Sequence, residues 1–179
     1  MSQLKVPITP QDHVLGPSDA LVTLVEYGDY ECPHCAQAHP IVATLLRQFG
    51  DEIRFAFRHF PLTQVHPNAE AAAQSAEFCG AHGLFWEMHD ALFANQAELS
   101  LPLLFALVRE LGLSDARLEE ALARETYASK VRSDFISGVR SGVNGTPSFF
   151  INGRRHDGSY AFDELYSAIE ASRSPSVAV

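Results

Sequence analysis

Cysteine is scarce in this chain: three in 179 residues, an odd number. A chain this long with so few cysteines is not a disulfide-stapled mini-protein, and an odd count suits a reducing compartment. Positive charge is also short. Thirteen Lys and Arg face 22 Asp and Glu, the formal net charge is −9, and Arg154-Arg155 is the only adjacent basic pair. Nucleic acid and anionic membrane surfaces are therefore poor partners. No apolar run approaches the ~20 residues that span a bilayer. The first residues, Met1 to Gly16, are polar and carry Pro7, Pro10 and Asp12. They lack the apolar centre of a signal peptide, so with Met1 as the start the expected location is cytoplasmic. No internal repeat is visible, nor any nucleotide or flavin signature. No added dimerisation segment is visible either, and a monomer is expected.

What remains is ordinary globular composition, 46% hydrophobic and 20% charged, and one conspicuous tetrapeptide. Cys32, Pro33, His34 and Cys35 follow an apolar, β-branched run from Leu21 to Tyr27 and open a helical stretch from Ala36 to Phe49. The first cysteine of such a pair sits where free backbone N–H groups and the positive end of the helix dipole favour a thiolate. Pro33 falls at the first helical position, where its missing N–H costs nothing. A structural disulfide is the plain alternative, but bridging so short a loop gains only about 2 kcal/mol, against about 4.7 for a 100-residue loop. Zinc needs four ligands, and no second C-x-x-C or paired H-x-x-x-H accompanies this one. The pair reads as a redox dithiol, with no metal and no cofactor beyond itself.

Around it the chain reads as a β-α-β unit. Gly50-Asp51 stops the helix, and Ile53 to Phe60 is a second strand ended by Pro61. From Pro67 to about Ser141 the character is helical. Ala69, Ala72, Ala73, Ala76 and Cys79 share one face, and Leu101, Leu104, Val108 and Leu111 form another stripe. This is too long for one crossover helix and predicts an insertion of four or five helices. Strand character returns at Ser148-Phe149-Phe150-Ile151, Asn152-Gly153 signals a hairpin, and Ala161 to Ser172 is a closing amphipathic helix.

In this order the chain resembles the DsbA-like branch of the thioredoxin superfamily. The residues that carry the likeness are Val25-Glu26-Tyr27 leading into Cys32-Pro33-His34-Cys35, then Phe60-Pro61, then Phe85-Trp86-Glu87-Met88-His89, then Gly145-Thr146-Pro147. It extends from about Val14 to Ile169. It implies an α/β, thioredoxin-like fold built from residues 1–62 and 142–174 and an all-helical subdomain at 63–141; the last residues, 175–179, read by themselves as a flexible tail. It implies thiol–disulfide exchange with protein or peptide thiols, and a redox partner that recycles the pair. It also implies a cis bond at Thr146-Pro147, with that loop packed beside Cys32 to receive substrate. Two other readings stand beside it: a non-redox glutathione-dependent transferase or isomerase of the same superfamily, and a binding or chaperone-like module with incidental cysteines. The second cysteine argues against the first of these.

Within the site, Cys32 is expected to attack and Cys35 to resolve. His34 is placed to donate to the Cys32 sulfur and, when charged, to add to the same field. Glu26 is an acid in an apolar strand, six residues before Cys32. In related proteins an acid there relays a proton to the second cysteine; otherwise it is a strand-end glutamate that reaches water. Cys79, Phe85, Trp86 and Met88 read as core. His39 reads as solvated, and His59, His66, His82 and His89 as structural or exposed.

Overall fold

The structure, a computed structural model, describes residues 2–173; the expected tail at 175–179 lies outside them. In chain order the elements are β1 (His13–Leu15), β2 (Val22–Gly28), α1 (Pro33–Phe49), β3 (Ile53–His59), α2 (Ala69–Gly80), α3 (Phe85–Ala94), α4 (Leu101–Glu110), α5 (Asp115–Ala123), α6 (Ala128–Arg140), β4 (Ser148–Ile151), β5 (Arg154–His156) and α7 (Phe162–Arg173). The sheet runs β1-β3-β2-β4-β5. β2 and β3 are parallel, and β1, β4 and β5 each run antiparallel to their neighbours. This is the thioredoxin-like arrangement, with five helices between β3 and β4.

Alternation along β2 decides which side chain reaches which layer. Val22 and Leu24 join the large cluster that contains α1, α2, α3 and α4, while Val25 and Tyr27 join the smaller cluster on the other face with Ala56, Phe60 and Phe150. Glu26 shares the parity of Val22 and Leu24, so its carboxyl points to the α1 side. α1 presents Cys35, Ala38, Val42, Leu45 and Phe49 at alternating spacings of three and four, a continuous buried stripe. Each aliphatic or aromatic member contributes roughly 1.5–3 kcal/mol by burial. The helix ends at Gly50, whose φ of 51° suits a residue without a Cβ.

The insertion packs on the same core as the sheet, through Ala72, Ala76, Cys79, Met88, Leu92 and Leu104. One position of the leucine stripe departs from expectation: Leu101 is 47% exposed, because it is the first residue of α4 and its turn projects beyond the core.

The strand β1 is a finding the polar N-terminus did not announce. Its pairing with β3 is fixed by a buried ion pair. Arg58 lies on β3, and its Nε and Nη2 donate to the two carboxylate oxygens of Asp12 at 2.7 and 3.0 Å. Its remaining N–H groups reach the carbonyls of Val6 and Pro7 and the Tyr27 hydroxyl. Breaking a buried pair strands one charge, at a cost of about 3–5 kcal/mol. Asp12→Ala should lower the unfolding free energy by about 3 kcal/mol, the low end, since three other acceptors remain. Urea denaturation measures this; a loss under about 1 kcal/mol would show that the carbonyls alone hold Arg58.

Candidate active site

The β2–α1 loop is short, so the strand delivers the chain to the helix mouth within four residues, Asp29 to Cys32. Cys32 is the N-cap, with extended backbone (φ −77°, ψ 119°), and Pro33 is the first helical residue. The N–H groups of Cys35 and Ala36 donate to the Cys32 carbonyl at 3.0 and 3.2 Å, which closes the first turn. Both thiols are free. Cys32 keeps a 4% exposed edge and Cys35 none.

The two sulfurs are pulled in opposite directions. The Cys35 thiol hydrogen-bonds to Cys32 and is the main reason the Cys32 thiol falls from an ordinary 9.0 to about 5. Burial opposes this. Thr146 and the backbone N–H groups of Cys35 and His34 assist it. Thr146 has two roles. Its carbonyl accepts from the Cys32 thiol at 3.4 Å and so favours the protonated form, whereas its hydroxyl, buried with no other partner, favours the thiolate. Cys35 goes well above its ordinary value, first through burial, then through its bond to Cys32 and the nearby Glu26 charge. The Asp29 N–H donates to Cys35 Sγ at 3.5 Å. The pair shares its last proton, held on Cys35.

Glu26 lies buried between Phe57 of β3 and Phe149 of β4, only 3% exposed, and Oε1 has no hydrogen-bond partner. Burial, then the Cys32 charge, raises its carboxyl from 4.5 to about 8. It does not reach water as a strand-end glutamate would. The Thr146–Pro147 bond is cis, and the Thr146 carbonyl sits against Cys32.

His34 is a correction. Its ring does not address Cys32. The Tyr160 hydroxyl donates to Gln37 Oε1 at 2.7 Å, so it accepts from His34 Nδ1 at 2.9 Å. The His34 backbone N–H, rather than its imidazole, serves the thiolate. His39 is also not simply solvated: it stacks on Phe93 with ring centroids 4.9 Å apart. Cys79 is fully buried, and burial pushes its thiol up to about 12, which fits core packing.

Three supports go beyond the residues expected from the sequence. Gln96, in a short 3-10 turn of the insertion, donates from Nε2 to the carbonyls of Tyr30 and Cys32 at 2.8 and 3.0 Å. Asp29 takes the N–H groups of Glu31 and Leu62 and pairs with His66 Nδ1 at 2.8 Å. Glu31 accepts from Asn68 at its backbone and side-chain nitrogens. The acids next to the C-x-x-C were a local clue; Gln96 and Tyr160 had none.

A helix-mouth dithiol facing a Thr-Pro loop, on a sheet of this order, defines a thioredoxin-like protein. The chain belongs to the thioredoxin family, whose model matches residues 8–171. Among solved structures it is similar to oxidised BdbD from Bacillus subtilis, at 25% identity and a TM-score of 0.85, covering 96% of this chain and 98% of that one. It is likewise similar to a thioredoxin-like oxidoreductase from Silicibacter pomeroyi, at 26% identity and a TM-score of 0.77, over 92% and 94% of the two chains. The α-DsbA1 of Wolbachia pipientis shares the fold, with a TM-score of 0.82 at 21% identity over 95% and 94%. By sequence, a segment of a protein named Na(+)/H(+) antiporter NhaA 1 from Salinispora arenicola is 49% identical over 167 residues, 93% of this chain and 26% of that one. The chain thus spans about a quarter of the length of the curated relatives it matches.

Two titrations follow. The folded value of Cys32 lies below its unfolded value. Its ionisation therefore adds stability to the reduced protein that is complete above about 9 and is lost as pH falls through about 5. Glu26 has the opposite sign: its raised value costs stability as pH rises from 4.5, and fully above about 8. Alkylation of the reduced protein, located by mass spectrometry, should show a midpoint near pH 5 at Cys32, with Cys35 and Cys79 unmodified at neutral pH. A Cys32 midpoint at or above ~8.5, that of a free thiol, would overturn this electrostatic account.

Proposed function

We propose that this chain is a thiol–disulfide oxidoreductase of the DsbA type, working as an oxidant of protein or peptide thiols. The observation that supports this most is the divergence within the pair, Cys32 down to about 5 and Cys35 well up. Stabilising the reduced form makes the Cys32–Cys35 disulfide the better oxidant, and a low-pKa sulfur leaves readily.

In the forward reaction a substrate thiolate attacks Cys32 of the protein disulfide. The Cys32–Cys35 bond breaks, its electron pair goes to Cys35, and Cys35 takes a proton. Glu26, its carboxyl raised above the ordinary carboxylate range by burial and held on the α1 face of β2, is the proposed donor. A second substrate thiolate then attacks the substrate sulfur of the mixed disulfide, and Cys32 departs as a thiolate. The substrate has lost two electrons and two protons: the electrons are on the protein pair, one proton replaces the one given up by Glu26, and the other goes to solvent while Cys32 remains a thiolate. A partner oxidant, as yet unidentified, restores the disulfide. No cofactor other than the dithiol enters this scheme, and it runs on a single copy of the chain. The Thr146 backbone beside Cys32 suits pairing with an extended substrate, as an added strand would.

Cytoplasmic operation, expected from the first residues, does not suit this role, because cytosolic thiol pools would hold the pair reduced. Among the described residues no helix is long and apolar enough to cross a membrane. The proposed oxidant belongs in an oxidising compartment; a similar solved structure is that of a periplasmic thioredoxin-like protein from Salmonella enterica. The rival readings, transferase and binding module, have no use for a second cysteine poised to resolve.

Oxidation of a reduced dithiol peptide by the disulfide form, followed by fluorescence, tests the proposal. Cys32→Ser should abolish turnover and Cys79→Ala should leave it within about twofold. Glu26→Gln should slow Cys35 protonation and the overall rate by about tenfold or more, at the modest end for proton-transfer catalysis. Substantial turnover in Cys32→Ser would refute the mechanism.

A further inference from the structure

Two clusters of metal-ligating side chains lie apart from the dithiol: His59, Glu77 and Asp134, and His39, His89 and Asp90. The first already holds its own cation. Lys130 Nζ is 2.7 Å from both Asp134 oxygens and 3.9 Å from Glu77, and His13 and His59 both bond to Glu77. Among the described residues no lysine or arginine pairs with the second. We propose that His39, His89 and Asp90 form a binding site for a divalent transition-metal ion of the zinc or copper type.

The donor set is two imidazoles and one carboxylate, which suits borderline ions and leaves a coordination position for water. The ligand atoms all lie within 4.8 Å of one another. His39 Nε2 and Asp90 Oδ1 are 3.3 Å apart. Bonds of about 2.0–2.1 Å around a tetrahedral ion place adjacent ligands about 3.4 Å apart, so this edge is already at coordination length. The remaining closure falls to Asp90, which is 69% exposed and free to turn.

The surroundings fit as well. Coordination needs neutral imidazole. Both rings sit among apolar groups that favour the neutral form: His39 stacks on Phe93 with ring centroids 4.9 Å apart, and His89 is buried. His89 is oriented from behind: its Nδ1 bonds to the buried Tyr30 hydroxyl at 3.0 Å, the kind of outer partner that fixes a metal-bound imidazole. Aromatic rings of Phe57, Trp86 and Phe93 pack around it. His39 lies one turn beyond Cys35 on α1, and Tyr30 lies two residues before Cys32. A bound ion would tie α1 to α3 beside the dithiol, while using neither cysteine; the proposal is independent of the redox reading.

The test is titration of the oxidised, untagged chain with Zn2+ alone by calorimetry. Oxidation removes the Cys32 and Cys35 thiolates as competitors, and Cys79 is fully buried. The expected result is one zinc per chain, with affinity reduced at least tenfold in His39→Ala and in Asp90→Asn and unchanged in His156→Ala. Circular dichroism checks that each variant folds. Should His39→Ala fail to fold, Asp90→Asn, altered at an exposed side chain, decides alone. No binding up to millimolar zinc, or binding unchanged by Asp90→Asn, overturns the site.

Discussion

Everything distinctive about this molecule depends on one hydrogen bond, from the Cys35 thiol to the Cys32 sulfur at the mouth of α1. It exists because the two residues meet different demands in one turn. Cys32 is the N-cap, outside the helix, with its sulfur at the protein edge. Cys35 is the first member of the buried stripe that fastens α1 to the sheet. A charge is tolerable at the first position, where backbone N–H groups converge, and costly at the second, where burial dominates. The proton therefore stays on Cys35, and the thiolate on Cys32. Glu26 completes the division. It is an acid in a dry strand, kept neutral to about 8 by its burial and by the thiolate itself.

The helical insertion holds this geometry as well as covering the core. Gln96 secures the two carbonyls that frame the loop, one of them that of Cys32. Asp29 ties the same loop to Leu62 and His66, and Glu31 ties it to Asn68 at the start of α2. The loop before the dithiol is therefore held at two places, by the start of the segment that follows β3 and by the turn between α3 and α4. Fixing a loop in this way removes the reorganisation that would otherwise accompany each change of redox state.

Local chemistry made much of this legible before any coordinates. β2 and α1 are readable because a β-branched run leads into the C-x-x-C and a helical stretch opens directly from it; Pro33 is readable as the first helical residue. The Asn152-Gly153 hairpin announced itself by turn chemistry. β1 was not readable, since three residues of mixed polarity become a strand only through pairing with β3 some forty positions away, with Asp12 and Arg58 joined behind them. His34 departs from expectation for the same kind of reason. Spacing put it between the cysteines, but its ring orientation is decided by Tyr160, a partner 126 residues distant. The packing of His39 is not legible locally, because its neighbours Phe93 and Asp90 belong to another helix.

The central claim is that the fold stabilises the Cys32 thiolate and so makes the disulfide oxidising. Its most direct test is the reduction potential of the Cys32–Cys35 couple, by equilibration against glutathione at pH 7. Dithiol proteins range from about −270 mV for a reducing thioredoxin to about −120 mV for a strongly oxidising DsbA. A value in the upper half of that range, above about −200 mV, is predicted. A value at or below about −270 mV would mean that the reduced form gains nothing from its thiolate, and would contradict the account.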